Sequence, residues 1–374
     1  MAADGDITKD GLYDAVAADD FQAMLDTDRY GDRSTAFDRI ISATHDHFWD
    51  PLDPRYIDFS QPFDMATRML VPEWMVIAMG TDYVSDHLAD PAIRVAFVNQ
   101  SVRRSFSTIL HGEQGALALS ASLCHVLKDQ GAQEYAANQA REEARHVTAF
   151  ARYIKVRWGS PTPCGPALQG LLTEIVAAPE VYKKIVGMQI LVEGLAMGAF
   201  AIFHNQLADP VGRRLMQLVM TDEAFHHRFG KIWADRTIPR LSPDEHAVVE
   251  DWAARCFLTL LANLLAPSQQ PDLYAAFGMD PAIVAAEVAR LSTDDQRRRS
   301  MAHDDNIFRV LTKTLLNAGI VTARTRHIYA RYVDLDALGA EGERMIGDDI
   351  AEAGVAYLKE INAKDRNRAP AAPQ

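Results

Sequence analysis

Two echoes of one short pattern constrain this chain more than anything else in it: Glu142-Glu143-Ala144-Arg145-His146 and Asp222-Glu223-Ala224-Phe225-His226. Each reads acid, Glu, two spacers, His. Residues three apart share a helix face, so within each echo the Glu and the His reach one point. A single Glu-x-x-His is commonplace, but two, each preceded by another acid, ask for a common cause. Two further carboxylates extend the pattern, Glu113 thirty residues before Glu143 and Glu193 thirty before Glu223 (143 − 113 = 223 − 193 = 30). The midpoints fall near Lys128 and at Ala208, followed by Asp129-Gln130-Gly131 and Asp209-Pro210, which are turn chemistry. Helical hairpins folded there bring Glu113 level with Glu143, and Glu193 level with Glu223. Fifteen residues of helix span about 22 Å. Four carboxylates and two imidazoles are therefore expected at one depth, well inside a helical bundle.

This set is similar to that of the ferritin-like di-iron carboxylate proteins, in which two helices give a Glu each and two give Glu-x-x-His. The resemblance covers residues 91 to 240. It implies two iron ions bridged by carboxylates, with Glu113, Glu143 and His146 on one and Glu193, Glu223 and His226 on the other. A mixed manganese–iron pair suits the same ligands. It also implies that the acid before each Glu supports the histidine of the opposite motif, Asp222 holding His146 and Glu142 holding His226. His227 lies on a compatible face too, and symmetry with His146 selects His226. The branches of the superfamily differ at marked positions. Phe150 stands where ribonucleotide reductase small subunits keep a radical tyrosine, and Val219 where arylamine N-oxygenases add a histidine ligand. Met197 replaces the threonine of the multicomponent monooxygenases, and Phe225 the arginine of the acyl-carrier-protein desaturases. The resemblance is thus to the superfamily rather than to one branch.

Carboxylate oxygens with imidazole nitrogens and no thiolate suit iron or manganese better than copper(I) or structural zinc. From the resemblance the expected function is an O2-activating oxidase or oxygenase that hydroxylates, desaturates or N-oxygenates an organic, apolar substrate. Size favours it: 374 − 150 = 224 residues lie outside the stretch from 91 to 240, more than iron storage needs. Leu117, Phe150, Met197 and Phe200 surround the ligands, as substrate lining or simply as core. One alternative is iron handling or peroxide reduction by the same centre. Another is a metal-free helical scaffold, which must keep six buried ionisable groups in register at high cost. No Rossmann fingerprint and no four-cysteine cluster is present, so electrons are expected from a separate ferredoxin or reductase. A homodimer is common in such families.

The formal charge of −13 argues against nucleic acid as a partner. Arg297-Arg298-Arg299 reads as a solvated helix end. Cys124, Cys164 and Cys256 are widely spaced and odd in number, which fits a reducing compartment. The start, Met1-Ala2-Ala3-Asp4-Gly5-Asp6, lacks the basic and apolar regions of a signal peptide. No stretch reads as long enough to span a membrane. The expected location is cytoplasmic.

Along the chain the reading is all-α: a ferritin-like four-helix bundle of two hairpins with one long crossover, wrapped by additional helices. Residues 1–90 read as an N-terminal helical extension, 91–240 as the bundle, 241–362 as a C-terminal helical extension and 363–374 as a disordered tail. Within the first part, helical patterns cover 12–25, 36–48 and 61–89, with His45, Asp46 and His47 given surface or capping roles. The long helices are expected over 91–128, 132–158, from Pro179 onward and over 211–237, with a short one ending near Ala178 in the crossover. Arg145 is expected on a face away from the ligands, paired with an acid. Glu193 sits on a helix apolar almost all round, hence the most buried of the four. Ser242-Pro243-Asp244-Glu245 reads as a capped helix start, and later helices are expected over 246–265, 283–291, 294–317, 320–332 and 343–361.

Overall fold

The computed structural model describes residues 10–45, 47–264, 266–302, 306–342 and 344–366. Among these the chain is all-helical, and strand-like pairing is confined to an isolated antiparallel bridge between Ala15 and Leu127. The long elements are α1 (Pro91–Val126), α2 (Gln130–Trp158), α3 (Pro166–Ala177), α4 (Val181–Gln206) and α5 (Pro210–Thr237). Asp90, Asp129 and Asp209 each accept a backbone N–H of the first turn they precede, which fixes where α1, α2 and α5 begin. Pro91 and Pro210 then occupy first-turn positions where no donor is needed.

Two tight connections make α1/α2 and α4/α5 antiparallel neighbours. The second is tied back to α2, because the Asp209 carboxylate also accepts from Tyr153 Oη at 2.9 Å and Arg157 Nε at 2.7 Å. α3 covers α1 at Gly115, where a Cβ would lie 2.6 Å from Leu172. Close packing therefore accounts for that glycine, whereas Gly112 faces nothing within 4 Å.

α4 is the core helix. Its segment Ile185–Val192 is wound as a π-helix directly before Glu193. α4 is 26 residues long and contains an 18-residue window of mean hydropathy 1.8, so it is long and apolar enough to cross a membrane by length and composition, contrary to the sequence expectation. Most of that apolar stretch, 78 %, is buried against the other helices of the fold. α6 (Pro243–Asn263) starts with a reciprocal capping box between Ser242 and Glu245. α7 (Ile307–Asn317) lies on α4 at Gly194 and Gly198, where a Cβ would meet Thr314 and the Ile307 backbone. α8 (Asp348–Arg366) lies on α5, with Gly354 against Thr221.

Several expected helices are shorter or absent. Residues 61–89 are mostly turns, with one-turn 3-10 pieces at Glu73–Met75 and Ile77–Gly80 and a helix only at Asp82–His87. The reason lies in α1: the Asn99 amide accepts from Leu70 N and donates to the carbonyls of Met65 and Arg68. Those backbone groups are thereby satisfied without a helix. Residues 12–25 contain only Asp10–Tyr13 and Phe21–Met24 as helix. The pattern over 294–317 divides into Asp294–Met301 and α7, which restarts on an Asn306 cap. Over 320–332 only Arg326–Tyr329 is helical, because buried Glu250 accepts from Thr322 N, Thr322 Oγ1, Thr325 Oγ1 and Arg324 Nε. α8 runs past the expected start of the tail to Arg366, and residues 367–374 lie outside the described residues.

Candidate metal centre

The two largest apolar clusters lie on either side of a polar layer. Along α1 the layer falls between Leu110 and Ala116, along α2 between Ala136 and Ala149, along α4 between Leu191 and Met197, and along α5 between Val219 and Phe229. The side chains in it are Glu113, Glu143, His146, Glu193, Glu223 and His226, none more than 5 % exposed. Hairpin register brings them there, since each Glu-x-x-His faces the carboxylate of the antiparallel neighbour.

The six form two overlapping groups whose ligand atoms lie within 4.8 Å of one another. One comprises Glu113, Glu143, His146 and Glu223; the other Glu143, Glu193, Glu223 and His226. Glu143 and Glu223 are common to both, and their oxygens divide between the histidines. Glu143 Oε2 and Glu223 Oε1 are each 3.2 Å from His146 Nδ1, while Glu143 Oε1 and Glu223 Oε2 are each 3.1 Å from His226 Nδ1. Glu113 Oε2 completes the first group at 3.2 Å from His146 Nδ1.

Both imidazoles turn Nδ1 inward and Nε2 outward. His146 Nε2 lies 2.8 Å from Asp222 Oδ2, and His226 Nε2 lies 2.9 Å from Glu142 Oε2. Each histidine thus meets the leading acid of the opposite motif. Arg145 occupies another face of α2, as expected, and its partner is Asp222 itself, with Nε at 3.0 Å and a terminal nitrogen at 2.5 Å. His227 takes no part; burial, with Lys231 and Arg228 nearby, holds its pKa down at about 4.

Two residues of the N-terminal segment enter this shell without a clear signal in the sequence. His47 is 1 % exposed, correcting its expected surface or capping role. It stacks on Phe225 with centroids 4.6 Å apart and points Nε2 at Asp222 and Glu142, 3.4 and 3.6 Å away. Together they make a third buried His/acid group. His45 is exposed as expected, and Asp46 lies outside the described residues. Trp49 donates its indole N–H to Asp222 Oδ2 at 2.9 Å and lies 6.0 Å from the His146 ring. An amide pair was also missed. Gln139, one turn before Glu143, donates to Glu143 Oε1 and Glu193 Oε1, and Gln189 donates to Gln139.

Electrostatics in the layer follow from burying acids and bases together. Burial, with the neighbouring carboxylates Glu223 and Glu143, pushes Glu113 and Glu193 well above the usual carboxyl range. Burial also acts against ionised Glu143, but His226 and His146 outweigh it and hold the group well below that range. Both histidines are raised well above an ordinary imidazole: burial opposes the charge, while Glu113 and Asp222 favour it on His146, and Glu143 and Glu223 on His226. Without metal, these shifts favour protons on the two imidazoles and on the carboxyls of Glu113 and Glu193. Those are the positions that ligation empties. The donor set fits a pair of hard or borderline cations, because four carboxylates offset the charge of two divalent ions and no thiolate competes. The buried Glu and His clusters could hold metal.

No protein-family model matches the chain, and no curated protein matches it.

Proposed function

We propose that the chain is a ferritin-like di-iron protein whose four-helix bundle, α1, α2, α4 and α5, carries an O2-activating oxidase or oxygenase centre for an organic, apolar substrate. One observation carries the reading. Glu143 and Glu223 each direct one oxygen to the His146 side and the other to the His226 side. That is the disposition two bridging carboxylates need. Glu113 and His146 then complete one iron position, and Glu193 and His226 the other.

Glu113, Glu143, His146, Glu193, Glu223 and His226 would hold the two iron ions, which would supply the electrons for reducing dioxygen. The chain does the rest. Asp222 and Glu142 hold the Nε2 protons, so the Nδ1 lone pairs point inward. Arg145 offsets the charge of Asp222. Phe150, Met197, Phe200, Val219 and Met220, all essentially buried beside the ligands, keep bulk water out and favour an apolar substrate. Residues 1–90 and 241–362 wrap the bundle on this reading, and a separate ferredoxin or reductase renews the electrons.

The test is anaerobic loading with iron(II), followed by a measured addition of dioxygen. Rapid oxygen uptake with oxidation of bound iron is expected, abolished in Glu143→Ala. With reductant and a panel of apolar compounds, oxygen-18 appears in product for an oxygenase. Accumulation of ferric iron beyond the two positions, without organic product, replaces this reading with iron handling.

A further inference from the structure

The two metal positions look alike in ligands but differ in what surrounds them. Gln139 Nε2 lies 3.1 Å from Glu143 Oε1 and 3.2 Å from Glu193 Oε1. Both oxygens belong to the position that contains His226. No side-chain amide bonds to Glu113 Oε2, Glu143 Oε2 or Glu223 Oε1, the oxygens facing His146, among the described residues.

The amide is fixed in this sense. Gln189 Nε2 donates to Gln139 Oε1 at 3.1 Å, leaving the Gln139 nitrogen directed at the carboxylates. Both glutamines are fully buried, so no water competes for them. The Gln189 backbone is packed directly under Gly230 of α5, with a notional Cβ 2.7 Å from the Gln189 main-chain oxygen. Gln189 also lies on the π-helical segment one turn before Glu193, so the pair spans α2 and α4 on one side of the centre.

A hydrogen bond to a carboxylate oxygen draws charge from it and fixes its direction. Two such bonds weaken the oxygens as ligands and bias Glu193 towards coordination through its other oxygen. We propose that Gln139 makes the two positions inequivalent: metal fills the Glu113/His146 position first, and the Glu193/His226 position binds more weakly and exchanges faster. This rests on the di-metal reading and assigns Gln139 as a positioning residue that touches ligands rather than metal. Outer partners of metal ligands change affinity by roughly 10- to 100-fold, so a ratio of about tenfold or more between the two dissociation constants is expected.

Titration of metal-free protein with manganese(II), followed by electron paramagnetic resonance, separates the cases. The wild type gives an isolated six-line signal up to one equivalent, replaced by a spin-coupled signal near two. Glu193→Gln keeps the first binding event, and Glu113→Gln loses it. In Gln139→Leu the coupled signal rises from the first addition, and the ratio of dissociation constants falls by about tenfold. Gln189→Met, which frees the amide to rotate, shifts the ratio in the same direction and serves if Gln139→Leu does not fold. Coupled signal from the first addition in the wild type, or an unchanged ratio in both glutamine variants, overturns the proposal. Folded wild type that binds no manganese and no iron overturns the di-metal reading as well, a result distinct from either of these.

Discussion

Asp222 accepts from three side chains, and they bind it to two other parts of the chain: Arg145 and His146 of α2, and Trp49 of the N-terminal segment. Burial raises the cost of its charge, but Arg145 and His146 more than compensate and hold its carboxyl far below the usual range. Asp222→Ala leaves Arg145 charged and enclosed with only its longer contact to Glu142, 3.4 Å, to balance it, so the loss should approach the roughly 3–5 kcal/mol of a broken buried ion pair. Urea unfolding of the metal-free variant should show that loss, and adding Arg145→Met should recover part of it. His227 makes an opposite case. It stays neutral in the folded chain down to about pH 4, whereas in an unfolded chain it titrates near ~6.5. Between those values the unfolded state binds the extra proton, so stability falls as pH drops through the window and is unaffected above it. His227→Gln should therefore gain stability relative to wild type at pH 5 but not at pH 7, read from urea midpoints. The six central residues were legible because their spacing is a geometric statement about helices. His47 and Trp49 were not, since only tertiary folding brings a loop against Asp222. Gln139 was legible in principle: it precedes Glu143 by one turn on the same buried stripe.

At the scale of elements, helix starts were the most readable feature, because Asp90, Asp129, Asp209 and Ser242 announce themselves by short-range chemistry. Helix absence was harder to read. Residues 61–89 carry apolar residues at near-helical spacing, yet Asn99 claims their backbone groups from a distance in sequence. Glu250 does the same to the segment around Thr322. The π-helical winding of α4 has no signature in its run of apolar residues either. Gly230 of α5 packs directly on that segment at Gln189. Gly230→Ala would drive a methyl into the Gln189 backbone, which cannot rotate away as a flexible side chain could. Overpacking of this kind costs about 1–3 kcal/mol, and denaturant unfolding measures it. The same variant should disturb the Gln189–Gln139 bond.

Over the whole molecule, a layer of carboxylates and imidazoles separates two apolar clusters, and four helices contribute to it. Burying that many ionisable groups together is costly unless cations or protons hold them. In the metal-free chain the upward shifts of His146, His226, Glu113 and Glu193 favour protons in that part; two divalent ions would take their place. A structural polar cluster would not need every ligand atom to converge within 4.8 Å in two groups sharing two members. The most direct test is iron content by mass spectrometry on protein produced in iron-supplemented medium, beside a Glu143→Ala/Glu223→Ala variant shown by circular dichroism to be helical. About two irons per chain in the wild type and none in the variant, as the ligand count of a two-metal carboxylate site requires, is the predicted result. Correctly folded wild type that stays metal-free under the same conditions would contradict the account.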